Sequence, residues 1–113
     1  MAAQRRIDLV LDSVKRLLRI GATANLVNLL QKQHPADLAQ VFTELPDKER
    51  EASFTLLVER NGRLAMETLT ELGPEAGASL LAGRSAEEIV KLTQELPSDD
   101  AAAIIDAVAR AIA

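Results

Sequence analysis

Three times the chain writes Glu-Leu and then a helix breaker: Glu44-Leu45-Pro46, Glu71-Leu72-Gly73 and Glu95-Leu96-Pro97. Proline cannot continue a helix from the turn before it, and glycine favours a helix end. After each break a new helical run begins, at Asp47, Pro74 and Ser98. The repeating unit is therefore a helix, a tight turn and a second helix, used about three times. Its clearest copy opens at His34-Pro35. Pro35 suits a first helical turn, where its missing N–H has no partner to lose. Leu38, Val41, Phe42 and Leu45 then place one apolar stripe on one helix face.

The core must be aliphatic. Aromatic residues make up 2% of the 113 residues, with no Trp or Tyr and only Phe42 and Phe54. Ala and Leu dominate and lose little entropy in helices. The alternation of β-branched residues that marks strands is absent. A chain of this length supports one domain, residues 1–113, with a real core.

The run of breakers and caps predicts about eight short helices. The first spans about Arg5 to Ile20, with Ile7, Val10, Leu11, Val14, Leu17 and Leu18 inward, and stops at Gly21. Thr23 is expected to cap the second, which carries Leu26, Val27, Leu29 and Leu30 and ends near Gln33. The third is the His34–Pro46 stretch. In the fourth, Ala52, Ser53, Leu56 and Leu57 point inward and Phe54 sits on the flank. Asn61-Gly62 breaks it, and the fifth holds Leu64, Thr68, Leu69 and Leu72. The sixth opens at Pro74, carries Leu80 and Leu81 inward and stops at Gly83. Ser85 and Glu88 read as a reciprocal capping box for the seventh, which is expected to bury Ile89, Leu92 and Leu96. Ser98 is expected to cap the eighth, with Ile104, Ile105, Val108 and Ile112 on its apolar side. Short connections make helices pack against their sequence neighbours, and repeated pairs of this kind build a superhelical stack.

Catalytic chemistry finds little support. His34 is the only histidine, so no His-based metal triad exists, and its place before Pro35 reads as a cap or packing position. No Gly-rich phosphate loop is present, and no Ser or Thr has a positioned His base. The chain is expected not to be an enzyme. A net charge of −4 argues against a nucleic-acid partner. With no Cys there is no disulfide framework. The charged N-terminus is no signal peptide, and no apolar run is long enough to span a bilayer. These features suit a soluble domain in a reducing, cytoplasmic setting that does not itself insert into a membrane.

The carboxylates carry the remaining signal. Glu49-Arg50-Glu51 reads as a solvated helix face, and Glu87-Glu88 as cap and dipole chemistry. Asp99-Asp100 fits the positive first turn of a helix. It also suits a hard cation such as Mg²⁺, which keeps much of its water and binds through one or two carboxylates. Glu95 and Asp106 lie close in sequence, with Lys91 as the neighbouring cation.

Several of these landmarks fall in one order: Gly21-x-x-x-x-Leu26, His34-Pro35-x-Asp37-Leu38, Glu44-Leu45, Leu56-Leu57, Pro74-Glu75 and Glu95-Leu96-x-x-Asp99-Asp100. The series resembles the cytoplasmic N-terminal domain of the MgtE family of magnesium transporters over roughly residues 10–110. The resemblance implies an all-α right-handed superhelix. It implies a regulatory role in which Mg²⁺ binds between acidic residues of this domain and a pair of CBS domains, favouring a closed transmembrane pore. Carried over by position, Glu67 and Asp99 match acidic family residues of that interface. A third such residue falls on Ala103 here, where Asp100 or Asp106 would have to substitute. The implied partners are the CBS and transmembrane domains of a transporter, on the same or a separate chain, at the cytoplasmic face of the inner membrane. A homodimer is compatible with the sequence.

No CBS segment or membrane helix follows Ala113, so the chain is expected to be either an excised domain or a free-standing relative. The competing reading is a helical interaction scaffold similar to the flagellar motor switch family. Gln33-His34-Pro35-Ala36 departs from that family's EHPQ-like element.

Overall fold

Caps and breakers set the course of the chain. The computed structural model describes residues 2–112, the side chains of Ala3 and Ile112 excepted, so the Ile112 expectation lies outside the described side chains. Among the described residues there are eight α-helices and no strand: α1 (Ala2–Ile20), α2 (Thr23–Gln31), α3 (Pro35–Glu44), α4 (Asp47–Arg60), α5 (Gly62–Leu72), α6 (Pro74–Leu81), α7 (Ala86–Thr93) and α8 (Ser98–Ile112).

Gly21 ends α1 at φ +74°, a conformation that costs a residue with a Cβ. Its N–H reaches the Leu18 carbonyl at 3.2 Å, and the Ala22 N–H reaches that of Leu17 at 3.0 Å. This double bond pattern recruits Ala22 at once as the N-cap of α2, and its carbonyl accepts the Leu26 N–H. Thr23 is thus the first residue inside α2 and makes no side-chain cap, contrary to expectation. Ser98 likewise lies inside α8, where the Pro97 carbonyl accepts the Ala101 N–H at 3.0 Å. The capping box of α7 is one-sided. Ser85 Oγ accepts from the Glu88 N–H, while the Glu88 carboxylate turns to Arg84 at 3.3 Å.

The three Glu-Leu-x endings share one hydrogen bond at their third residue, although the backbone there differs, at φ −59° for Pro46 and φ +100° for Gly73. The carbonyls of Pro46, Gly73 and Pro97 accept from the N–H groups of Arg50, Gly77 and Ala101, the fourth residues of α4, α6 and α8, at 2.9, 2.9 and 3.0 Å. Asn61 works on both sides of its break. It ends α4, its Oδ1 accepts from the Leu64 N–H at the start of α5, and its Nδ2 donates to Gln31 on α2.

The core runs through all eight helices as one cluster. Phe42 and Phe54 lie at its middle, fully buried and edge-to-face with centroids 6.5 Å apart, a contact that adds about 1 kcal/mol beyond area burial. Phe54 therefore faces the centre and not the flank, while Ala52 is exposed and Leu56 only partly buried. Ala65 and Met66 join the buried face of α5, where the expected stripe omitted them, while Leu92 and Leu96, expected to be buried by the seventh helix, are only half-buried and Leu96 lies past the end of α7. Ile105 of α8 is 43% exposed, off the apolar side assigned to it. The closest packing joins next-but-one helices, α6 with α8 and α3 with α5, more than sequence neighbours. The radius of gyration, 13.7 Å, is near the ~13 Å of a compact domain of this length.

Candidate functional site

Helix α5 is central, packed on α3, α4, α6 and α7. It buries Leu64, Ala65, Met66, Thr68 and Leu69, and Thr68 Oγ1 donates to the Leu64 carbonyl at 2.8 Å. Glu67, between two buried neighbours, is turned outward and exposed. The helix thus presents this carboxylate from a rigid base. Arg63 lies one turn earlier on α5 but forms no ion pair with it.

Asp99 and Asp100 occupy the first turn of α8, where the helix dipole favours negative charge. Asp99 is exposed and Asp100 half-buried. Neither forms an ion pair among the described residues. Ala103, one turn on, is exposed and supplies no ligand. Asp106 is held by Arg110 at 3.6 Å, a cation that a reading confined to Lys91 missed. Among the described residues no three His, Asp or Glu side chains converge to hold a metal ion. Glu67, Asp99 and Asp100 therefore do not form a closed centre within the chain.

His34 is the N-cap of α3. Its Nδ1 accepts the Ala36 N–H at 3.2 Å, which leaves the ring proton of neutral His34 on Nε2. The grooves of the surface are shallow. One of about 260 Å³ lies between Asp47 and Glu51 of α4 and Leu72, Ala76 and Ser79 of α5 and α6. Its lining includes the Ser79 hydroxyl and no histidine.

Two arginines carry structural roles that the sequence did not announce. Arg50, read as solvated, is half-buried and donates to the carbonyls of Phe42, Thr43 and Leu45, closing the end of α3. Arg84 lies over the Phe54 ring at 5.8 Å. Glu49 is also drawn inward, with Oε2 buried.

The MgtE intracellular N domain is the family whose model matches, over residues 33–113. The chain belongs to that family. No curated protein and no solved structure matches it. The MgtE match takes in His34-Pro35, the three Glu-Leu-x turns, Glu67 and Asp99-Asp100. It leaves α1 and α2, with Gly21 and Leu26, outside the matched span. The MgtE N domain is a regulatory part of magnesium transporters and not an enzyme family. Among the described residues no helix is long and apolar enough to cross a membrane.

Proposed function

We propose that this MgtE N domain is a Mg²⁺-responsive regulatory module that acts on the pore of a magnesium transporter through CBS domains. The observation that carries the reading is the family match, whose span takes in Glu67 on α5 and Asp99 on α8, both exposed and without ion-pair partners among the described residues. The absence of a closed three-ligand centre among the described residues supports a site completed by a second surface. Hydrated Mg²⁺ suits such a site, because it needs few protein oxygens and retains water. In this reading Glu67 and Asp99, helped by Asp100, face an acidic CBS surface. The ion removes their mutual repulsion and so favours the docked, closed arrangement. The same reading takes the helices as a right-handed superhelix on the cytoplasmic side of the membrane.

The test joins two measurements. Titrating the chain with Mg²⁺ against matched NaCl should shift the NMR signals of Glu67 and Asp99 when a CBS partner is present. In an assembled transporter, Glu67→Ala with Asp99→Ala should loosen gating at high Mg²⁺. Small uniform shifts that NaCl reproduces, together with unchanged gating, would overturn the reading.

A further inference from the structure

Among the described residues the two most exposed large hydrophobic side chains are Leu9, at 62%, and Ile20, at 65%, and both belong to α1. They stand eleven residues apart, about three helical turns, and so share one face. That face is opposite the one that buries Ile7 and Val14 in the core. Between Leu9 and Ile20 the same face carries Asp12 and Arg16, both exposed. Neither forms an ion pair among the described residues.

We propose that this face of α1 docks on the same face of a second copy, antiparallel, about a twofold axis at the height of Val14 and Lys15. The spacing is self-complementary in that register. Leu9 meets the partner's Ile20, and Ile20 meets the partner's Leu9. Asp12 falls beside the partner's Arg16, and Arg16 beside the partner's Asp12. The apolar pair and the charged pair select alignments that agree to within one residue, about 1.5 Å along the axis, which is the property an isologous interface requires. Ser13, small and at the centre, allows close approach. Helix α1 is about 28 Å long, so one helix pair buries less than the roughly 1,200 Å² of a stable interface. The dimer is therefore weak and populated at high protein concentration. It lies outside the matched span and is independent of the magnesium reading.

The chain has no cysteine, so introduced thiols report contacts cleanly. Mixing Leu9→Cys with Ile20→Cys protein should give a disulfide-linked heterodimer. Leu9→Cys alone should give none, because two Leu9 positions lie about 16 Å apart along the axis in this register. Sedimentation equilibrium should show a concentration-dependent dimer. Leu9→Asp or Asp12→Arg should weaken it by more than about tenfold, with unchanged circular dichroism. The double exchange Asp12→Arg with Arg16→Asp should restore it. A monomer up to about 1 mM protein would overturn the proposal, and self-crosslinking of Leu9→Cys would overturn the antiparallel register. A monomer that cosediments with phosphatidylserine vesicles, and loses this with Leu9→Asp, would assign the face to lipid and reject the second copy.

Discussion

Arg50 Nε donates to the Phe42 carbonyl oxygen across 2.6 Å, joining the start of α4 to the last turn of α3. The same guanidinium reaches the Leu45 carbonyl at 2.8 Å, the Thr43 carbonyl at 3.2 Å and Asp47 at 3.2 Å. Of these three carbonyls only that of Phe42 has a backbone donor as well, the Leu45 N–H at 3.3 Å, because Leu45 and Pro46 turn the chain away in extended conformation. One planar fork thus fixes the angle between the two helices of the unit. Arg50→Met should lower the unfolding free energy by about 2 kcal/mol, the scale of charge-assisted bonds to half-buried acceptors. Arg50→Lys should recover little of it, since an ammonium cannot span acceptors spread along the turn. Urea denaturation of both variants checks this, and full recovery by lysine would refute the fork.

Phe54 touches the edge of Phe42 on one side and lies under Arg84 on the other. Truncation to alanine empties the middle of the core, so Phe54→Ala should cost about 3–5 kcal/mol. Ala52→Ser, on the exposed side of the same helix, should stay within about 0.5 kcal/mol. Equal losses at the two positions would show that α4 faces the core differently.

What could be read in the chain and what could not divide by range. Gly21, Pro35, Asn61 and the three Glu-Leu-x endings act on their immediate neighbours, so their local chemistry placed every helix to within about three residues. Thr23 and Ser98 were misplaced by one residue, because the Gly21 turn and the Pro97 carbonyl supply the N-cap position first. The face of α4 was harder. Its first five residues are all charged, and only contact with α2 and α5 decides that Phe54 points in and Ala52 out. Arg50 could not be found from pattern, since a solvated and a capping arginine look alike in sequence. Glu67 is an unremarkable exposed glutamate in both sequence and structure. Only the family likeness singles it out.

Ser53 is fully buried on α4, and its hydroxyl has no hydrogen-bond partner. A buried unpaired hydroxyl opposes folding, and alanine is also the better helix former. Ser53→Ala should therefore raise stability by about 0.5–1 kcal/mol. Thermal unfolding checks the sign. A loss of stability would mean that the hydroxyl has a partner such as an internal water.

Glu67 and Asp99 should separate in their effect on folding. Glu67 is in the middle of α5 and exposed, so Glu67→Ala should change stability by less than about 0.5 kcal/mol. Asp99 sits in the first turn of α8, and Asp99→Ala should cost about 0.3–1 kcal/mol through lost interaction with the helix dipole. Added salt should shrink the Asp99 effect. Denaturation at low and high NaCl measures both, and a large loss at Glu67 would make it a folding residue, unsuited to a test of ion sensing.

Gly73 stands where the other two Glu-Leu-x endings place proline, and the repeat suggests that Gly73→Pro would be harmless. The backbone says otherwise. Pro46 has φ −59°, within the range proline fixes, whereas Gly73 has φ +100° and ψ 161°, a region open almost only to glycine. The Gly73 N–H also closes α5 on the Leu69 carbonyl at 3.0 Å, a bond proline cannot make. A Cβ at Gly73 would meet nothing within 4 Å, so the penalty for alanine is conformational and not steric crowding. Gly73→Ala should cost about 1–3 kcal/mol. Gly73→Pro should cost more, because it adds the lost hydrogen bond and forces φ to a value the α5–α6 turn does not use. Chemical denaturation orders the two variants. If Gly73→Pro were as stable as the parent chain, the middle turn would have to be able to adopt the geometry of the Pro46 turn, and the difference between Gly73 and its counterparts would have no structural weight.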